Sequence, residues 1–163
     1  MFAQFVAEGY QSKRRQWRWA AVREIKFRGK RISDGEWMVG FIVIQEDGTA
    51  WIGRAVRGRS AKGWKQVDPE TVGQFTGYMD RENTPIYEGD FLLVTDEWGH
   101  RYVTPVTEEN GAMVVEVEGM DYDETAIGWA IDQWKNNGRG SNWRVIGNVH
   151  DDVSMPEEET DNG

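Results

Sequence analysis

At 163 residues the chain suits one domain and is long enough to bury a real core. It has no cysteine, which excludes disulfides, thiolate zinc sites and cysteine nucleophiles. Net charge is −9, divided into +8 over residues 1–65 and −17 over residues 66–163, an asymmetry that fits an interaction surface or two separately solvated faces.

Residues 1–21 form a basic aromatic arm in which Lys13, Arg14, Arg15 and Arg18 surround Trp17 and Trp19. Such an arm can bind nucleic acid or an anionic surface, or be an extension without a role. It lacks the order of a secretory signal, because the basic cluster follows the apolar residues. No apolar run approaches the roughly 18 residues of a membrane-spanning helix. A cytoplasmic protein with no membrane partner is expected.

From Glu24 to Arg28 polar and apolar residues alternate, as in a half-buried strand. Asp34-Gly35 and Asp47-Gly48 are hairpin signals, and the run Trp37 to Ile44 between them predicts a strand. Thr49 to Val56 predicts its return, and residues 57–65 read as a basic, glycine-bearing loop. With nine tryptophans in the chain, Trp37, Trp51, Trp64 and Trp143 are expected in the core.

Val67 to Asp90 is a turn-rich connector whose Gly73, Gly77 and Gly89 serve backbone geometry and whose Tyr87 is a buried anchor with its hydroxyl bonded. Phe91 to Val94, Arg101 to Thr107 and Met113 to Val117 predict three closely spaced strands, turned at Trp98-Gly99 and Asn110-Gly111, as in a meander within a small barrel. Ile127, Ala130, Ile131 and Trp134 make one buried stripe of a helix over 124–136, with Asp121 and Asp123 as capping residues, Asn137-Gly138 as its stop and Gly128 as a weak point. Trp143 to Val149 predicts a last strand, and the acidic tail 153–163 is expected to be disordered.

Reaction chemistry finds little support in the sequence. Two histidines, His100 and His150, are too few for a metal cluster, although His150 stands beside Asp151 and Asp152. Asp121 to Asp132 has the span of a calcium loop, but Ala126 occupies the position where the sharp turn needs glycine. There is no P-loop, dinucleotide fingerprint or nucleophile elbow. Glu88 and Asp90 are candidates for acid–base work only if they converge; in a strand-entry turn such carboxylates more often bind backbone donors. No catalytic residue, metal or cofactor is assigned. Arg54, Arg57, Arg59, Lys62 and Lys65, with Trp64 as a stacking partner, remain as candidates for nucleic-acid binding.

Three stretches together resemble the YopX-like family of phage and prophage proteins. They are Arg23 to Lys30, then Val72 to Gly77 continuing through Ile86-Tyr87-Glu88-Gly89-Asp90, and Val145 to Val149. The resemblance covers about residues 22–152. Members typically carry Met immediately before the first block, where this chain has Val22. Initiation at a GTG codon there would put residues 1–21 outside the natural protein. The acidic end also departs from relatives that continue with a Leu-rich stretch. The resemblance implies a mainly β fold with an SH3-like barrel in the C-terminal half, and no activity that transfers to any residue.

The expected fold is therefore mainly β with one short helix: a strand layer over 23–66, the connector 67–90 and a barrel-like part over 86–150. The expected function is a non-catalytic protein-binding module acting on a host or phage complex in the bacterial cytoplasm. The alternative is a nucleic-acid-binding module using residues 54–65. A homo-oligomer through an exposed strand edge is compatible with both.

Overall fold

The computed structural model describes residues 24–56, 59–95, 99–116, 125–136 and 142–151. Its strands are β1 (Phe27–Lys30), β2 (Trp37–Ile44), β3 (Ala50–Val56), β4 (Arg59–Val67), β5 (Gly73–Met79), β6 (Pro85–Tyr87), β7 (Asp90–Thr95), β8 (Arg101–Pro105), β9 (Thr107–Glu109), β10 (Ala112–Val115), β11 (Thr125–Ala126) and β12 (Asn142–Asn148). One helix, α1 (Ile127–Asn136), and a short 3-10 turn (Pro69–Thr71) complete the described elements. The protein is mainly β, in open antiparallel sheets.

The largest sheet has the order β4-β3-β2-β1-β5-β6. Its first two hairpins turn where turn chemistry demands. Gly35 and Gly48 adopt φ of 72° and 84°, and Asp47 Oδ1 accepts the Thr49 amide at 2.9 Å. The expected loop over 57–65 is mostly strand. Residues from Arg59 onward pair with β3, and a register shift around Gly63 (φ 67°) absorbs the extra residue. Its glycines and exposed cations look loop-like in sequence, yet strand pairing uses the backbone and leaves charged side chains in solvent.

The connector contributes structure of its own. Asp68 caps the 3-10 turn by accepting the Glu70 amide at 3.1 Å, and β5 then pairs with β1. Gly77 (φ 89°) lies where the β5–β6 register shifts between Phe75 and Met79.

The C-terminal half holds two three-stranded sheets, β12-β7-β8 and β11-β10-β9. The expected barrel is not closed among the described residues. The expected strand over Arg101 to Thr107 is divided at Val106, whose amide bonds to Asp90 O and whose carbonyl accepts the Gly89 amide, both at 2.8 Å. Pro105 has no amide to continue a ladder. Across the gap, Glu116 N donates to the Thr104 hydroxyl at 2.8 Å rather than to a backbone carbonyl. Asn110 and Gly111 both have positive φ, 49° and 83°, in the two-residue β9–β10 turn.

Two cores result. Met38, Ala50, Ile52 and Val67 form a small one on the large sheet. Ile86, Leu92, Val94, Val106, Val115, Trp143 and the helix stripe Ile127, Ala130, Ile131 and Trp134 form the main one. The helix begins at Ile127, because Thr125 and Ala126 are held in β11 against Val115 and Val114. Gly128 gives room there to the Tyr78 hydroxyl, which would have to move aside for a Cβ at that position. Of the four tryptophans expected in the core, only Trp143 is buried. Trp37 and Trp51 are half-buried, and Trp64 lies exposed across the α-carbon of Gly53. The arm 1–21, the capping residues Asp121 and Asp123, the stop at Asn137-Gly138, Trp98 and the tail 153–163 lie outside the described residues.

Candidate functional site

The three stretches that carry the family resemblance meet in space. Arg28 of β1, Tyr87 to Asp90 at the β6–β7 junction and Asn148 of β12 form one buried cluster. Arg28 Nη2 forms an ion pair with Asp90 Oδ1 and donates to Glu88 O at 3.3 Å. Asp90 is fully buried and accepts the Tyr87 amide at 2.7 Å and Asn148 Nδ2 at 3.4 Å. The guanidinium lies over both the Trp37 and the Tyr87 rings, 4.8 Å from each centroid. Arg28 Nε makes no hydrogen bond among the described residues.

Close backbone approach builds this joint. A Cβ on Gly73 would stand 2.5 Å from Glu88 O. Gly89 takes φ 81° to let its carbonyl accept the Val149 amide at 2.9 Å. Around the rim, Lys30 Nζ ion-pairs with Asp151 at 2.6 Å and donates to His150 O at 2.8 Å, and Trp37 Nε1 donates to Asp151 at 3.1 Å. The Lys30 hydrogen bond, with Trp37 beside it, holds the Asp151 carboxyl below its ordinary pKa.

Tyr87 packs on Phe75 with ring centroids 5.5 Å apart, but its hydroxyl has no hydrogen-bond partner among the described residues. Burial pushes that hydroxyl's pKa up against the opposing charge of Arg28. Glu88 turns away from Asp90, toward the Gln74 amide at 3.4 Å. The two carboxylates therefore do not converge on a reacting position. The cluster is suited to fastening the large sheet to the C-terminal core.

Burial holds the Asp90 carboxyl above its ordinary pKa, with Arg28 and the Tyr87 amide opposing. The folded chain thus keeps this proton to higher pH than the unfolded chain. The stabilising share of that proton is complete below the unfolded pKa and is lost as pH rises through the folded one. A carbon-detected NMR titration of Asp90 is expected to give a midpoint above 3.8. A midpoint below it would mean that the Arg28 charge outweighs burial.

Two open surfaces stand outside this joint. A groove of about 980 Å³ runs between β5 and the β10–α1 region, with Tyr78, Met79, Met113 and Gly128 in its walls and Glu24 and Glu108 among its lining. A second, of about 320 Å³, is lined by Arg31, Trp37, Met38, Arg54, Lys62, Gly63 and Lys65. It brings three of the sequence candidates together, Arg54, Lys62 and Lys65. Trp64 does not join them: it precedes Lys65 in β4, so strand alternation sends its indole to the opposite face, over Gly53, while the register shift at Gly63 returns Lys62 to the Lys65 face. Arg59 supplies backbone to β4, and Arg57 lies outside the described residues. Arg31 was missed from sequence, since only the pairing of β1, β2 and β3 carries it across to the β3–β4 hairpin. No group of three or more metal-ligating side chains occurs among the described residues, and no helix there is long and apolar enough to cross a membrane.

No curated protein matches the chain. The chain is similar to the crystal structure of protein EF1440 from Enterococcus faecalis at 17% identity and a TM-score of 0.49, over 79% of this chain and 95% of that one. The family model described as YopX protein matches residues 10–155, which include the Arg28, Tyr87 to Asp90 and Asn148 cluster. The chain belongs to the YopX family.

Proposed function

We propose that this chain is a non-catalytic protein-binding module, a phage or prophage accessory protein that engages a host or phage complex. The outer face of β2–β4 carries the reading. Val39, Phe41 and Val43 are 40%, 47% and 46% exposed there. Strand register sets Phe41 beside Gly53 and Val43 beside Trp51, and Trp64 covers Gly53. An apolar, aromatic row thus crosses three paired strands in solvent. Contiguous apolar surface marks interaction sites, and aromatic residues are enriched in interface cores. A face built on paired strands has little backbone freedom to lose on docking.

The charge of −17 over residues 66–163 supports a partner with basic surface, including a nucleic-acid-binding complex whose ligand an acidic surface imitates. The two C-terminal sheets wrap one core, which supports reading that half as an opened SH3-like barrel. The structural engagement of Glu88 and Asp90 supports a binding role over acid–base catalysis.

Affinity capture from host lysate, with and without nuclease, tests the proposal. The wild-type chain is expected to retain one specific protein after nuclease treatment, and Phe41→Asp to retain about tenfold less or none. Loss of all captured protein on nuclease digestion would overturn the reading in favour of nucleic acid.

A further inference from the structure

The smaller groove collects positive charge, most of which has no carboxylate partner among the described residues. Arg31, Arg54, Lys62 and Lys65 line it beside Met38 and Gly63. Arg54 and Lys62 are direct cross-strand partners, and Lys65 pairs with Ile52 one step along the same hairpin. Like charges set opposite one another on a sheet repel and destabilise it. Arg31 Nε has an ion-pair partner in Asp34 at 3.0 Å, whereas Arg54, Lys62 and Lys65 have no carboxylate partner among the described residues. This gathering stands in a chain of net charge −9.

We infer that this groove binds a compact phosphate group, as free phosphate or as the phosphoryl end of a small ligand. Several cations around one small volume match a doubly charged oxyanion, and guanidinium groups present paired donors suited to phosphate oxygens. A nucleic-acid strand fits less well. The cations ring a groove of about 320 Å³ instead of tracking along the surface. Base stacking on Trp64 is not available beside them, since that ring lies on the other face of the sheet. The Trp37 ring is already covered by Arg28 and Lys30, at 4.8 and 5.4 Å.

Bound phosphate relieves the Arg54–Lys62 repulsion, so ligand binding and hairpin stability are coupled. The site stands on the side of the hairpin opposite the apolar row. It does not depend on the protein-binding reading, and either can fail alone.

Calorimetric titration of the full chain with inorganic phosphate, pyrophosphate and a phosphorylated sugar tests the inference, alongside thermal melting. Saturable binding at one site is expected, weakening with added salt. Tighter binding of the sugar phosphate than of inorganic phosphate would identify a small phosphorylated ligand as the source; the reverse order would identify free phosphate. Lys65→Gln is expected to weaken binding by about tenfold. Arg54→Glu is expected to abolish it and, by turning a repelling pair into an attracting one, to raise the melting temperature of the ligand-free chain by about 2–4 °C. Absence of phosphate and pyrophosphate binding would overturn the inference. So would unchanged binding by Arg54→Glu, or binding of a single-stranded oligonucleotide that pyrophosphate does not displace.

Discussion

Asp90→Ala is expected to destabilise the protein by about 3–5 kcal/mol, a large part of the 5–15 kcal/mol typical of a folded domain. The substitution leaves the Arg28 guanidinium nearly buried with no opposing charge, and it frees the Tyr87 amide and Asn148 Nδ2 from their acceptor. Arg28→Leu should be comparably damaging, because a fully buried carboxylate is then unpaired. The double change Arg28→Leu with Asp90→Leu removes both charges together. It is expected to cost less than either single change, since a buried ion pair owes its net worth mainly to not being half-broken. Urea denaturation of the four proteins in a double-mutant cycle measures this. A single-site cost under about 1 kcal/mol would mean that the cluster does not hold the two sheet systems together.

Trp134→Ala is the second large effect, with an expected cost of about 3–5 kcal/mol from lost burial and the cavity left behind. Trp134 is almost fully buried in the main core, stacks obliquely on Trp143 with centroids 5.7 Å apart, and donates Nε1–H to the Tyr102 hydroxyl at 3.2 Å. It is a large part of the contact through which α1 reaches the β7–β8–β12 sheet, beside Ala130, Ile131 and the Lys135 ammonium over the Trp143 ring. Trp64→Ala makes the control. That ring is exposed and lies across Gly53, away from the main core, so its loss is expected to cost about 1 kcal/mol and to leave the C-terminal core intact. Equal losses in denaturation midpoint for the two variants would contradict this division between core and surface tryptophans.

Local signals in the chain were sufficient wherever a structural choice depends on neighbours in sequence. Asp34-Gly35, Asp47-Gly48 and Asn110-Gly111 turn as their φ requirements dictate. The run from Trp37 to Ile44 is one strand, and the stripe Ile127, Ala130, Ile131 and Trp134 is the buried face of one helix. Those features follow from side-chain period and from glycine's access to positive φ, both of which act within a few residues.

What long-range pairing decides was not legible. Residues 59–65 have a loop's composition, and they became strand because β3 offered an unpaired edge. Tryptophan burial was misjudged because ring size says nothing about which face of a sheet another layer will cover. Arg28 and Asp90, 62 residues apart, sit in separate motifs whose sequences do not reveal an ion pair. Arg31 likewise joins Arg54, Lys62 and Lys65 only through three neighbouring strands. The sequence by itself determined the β-rich class, the hairpin turns, the helix face and the family. The tertiary structure alone decided which charges are buried together and which stand in the open, because both depend on distances across the sheets that no local period encodes.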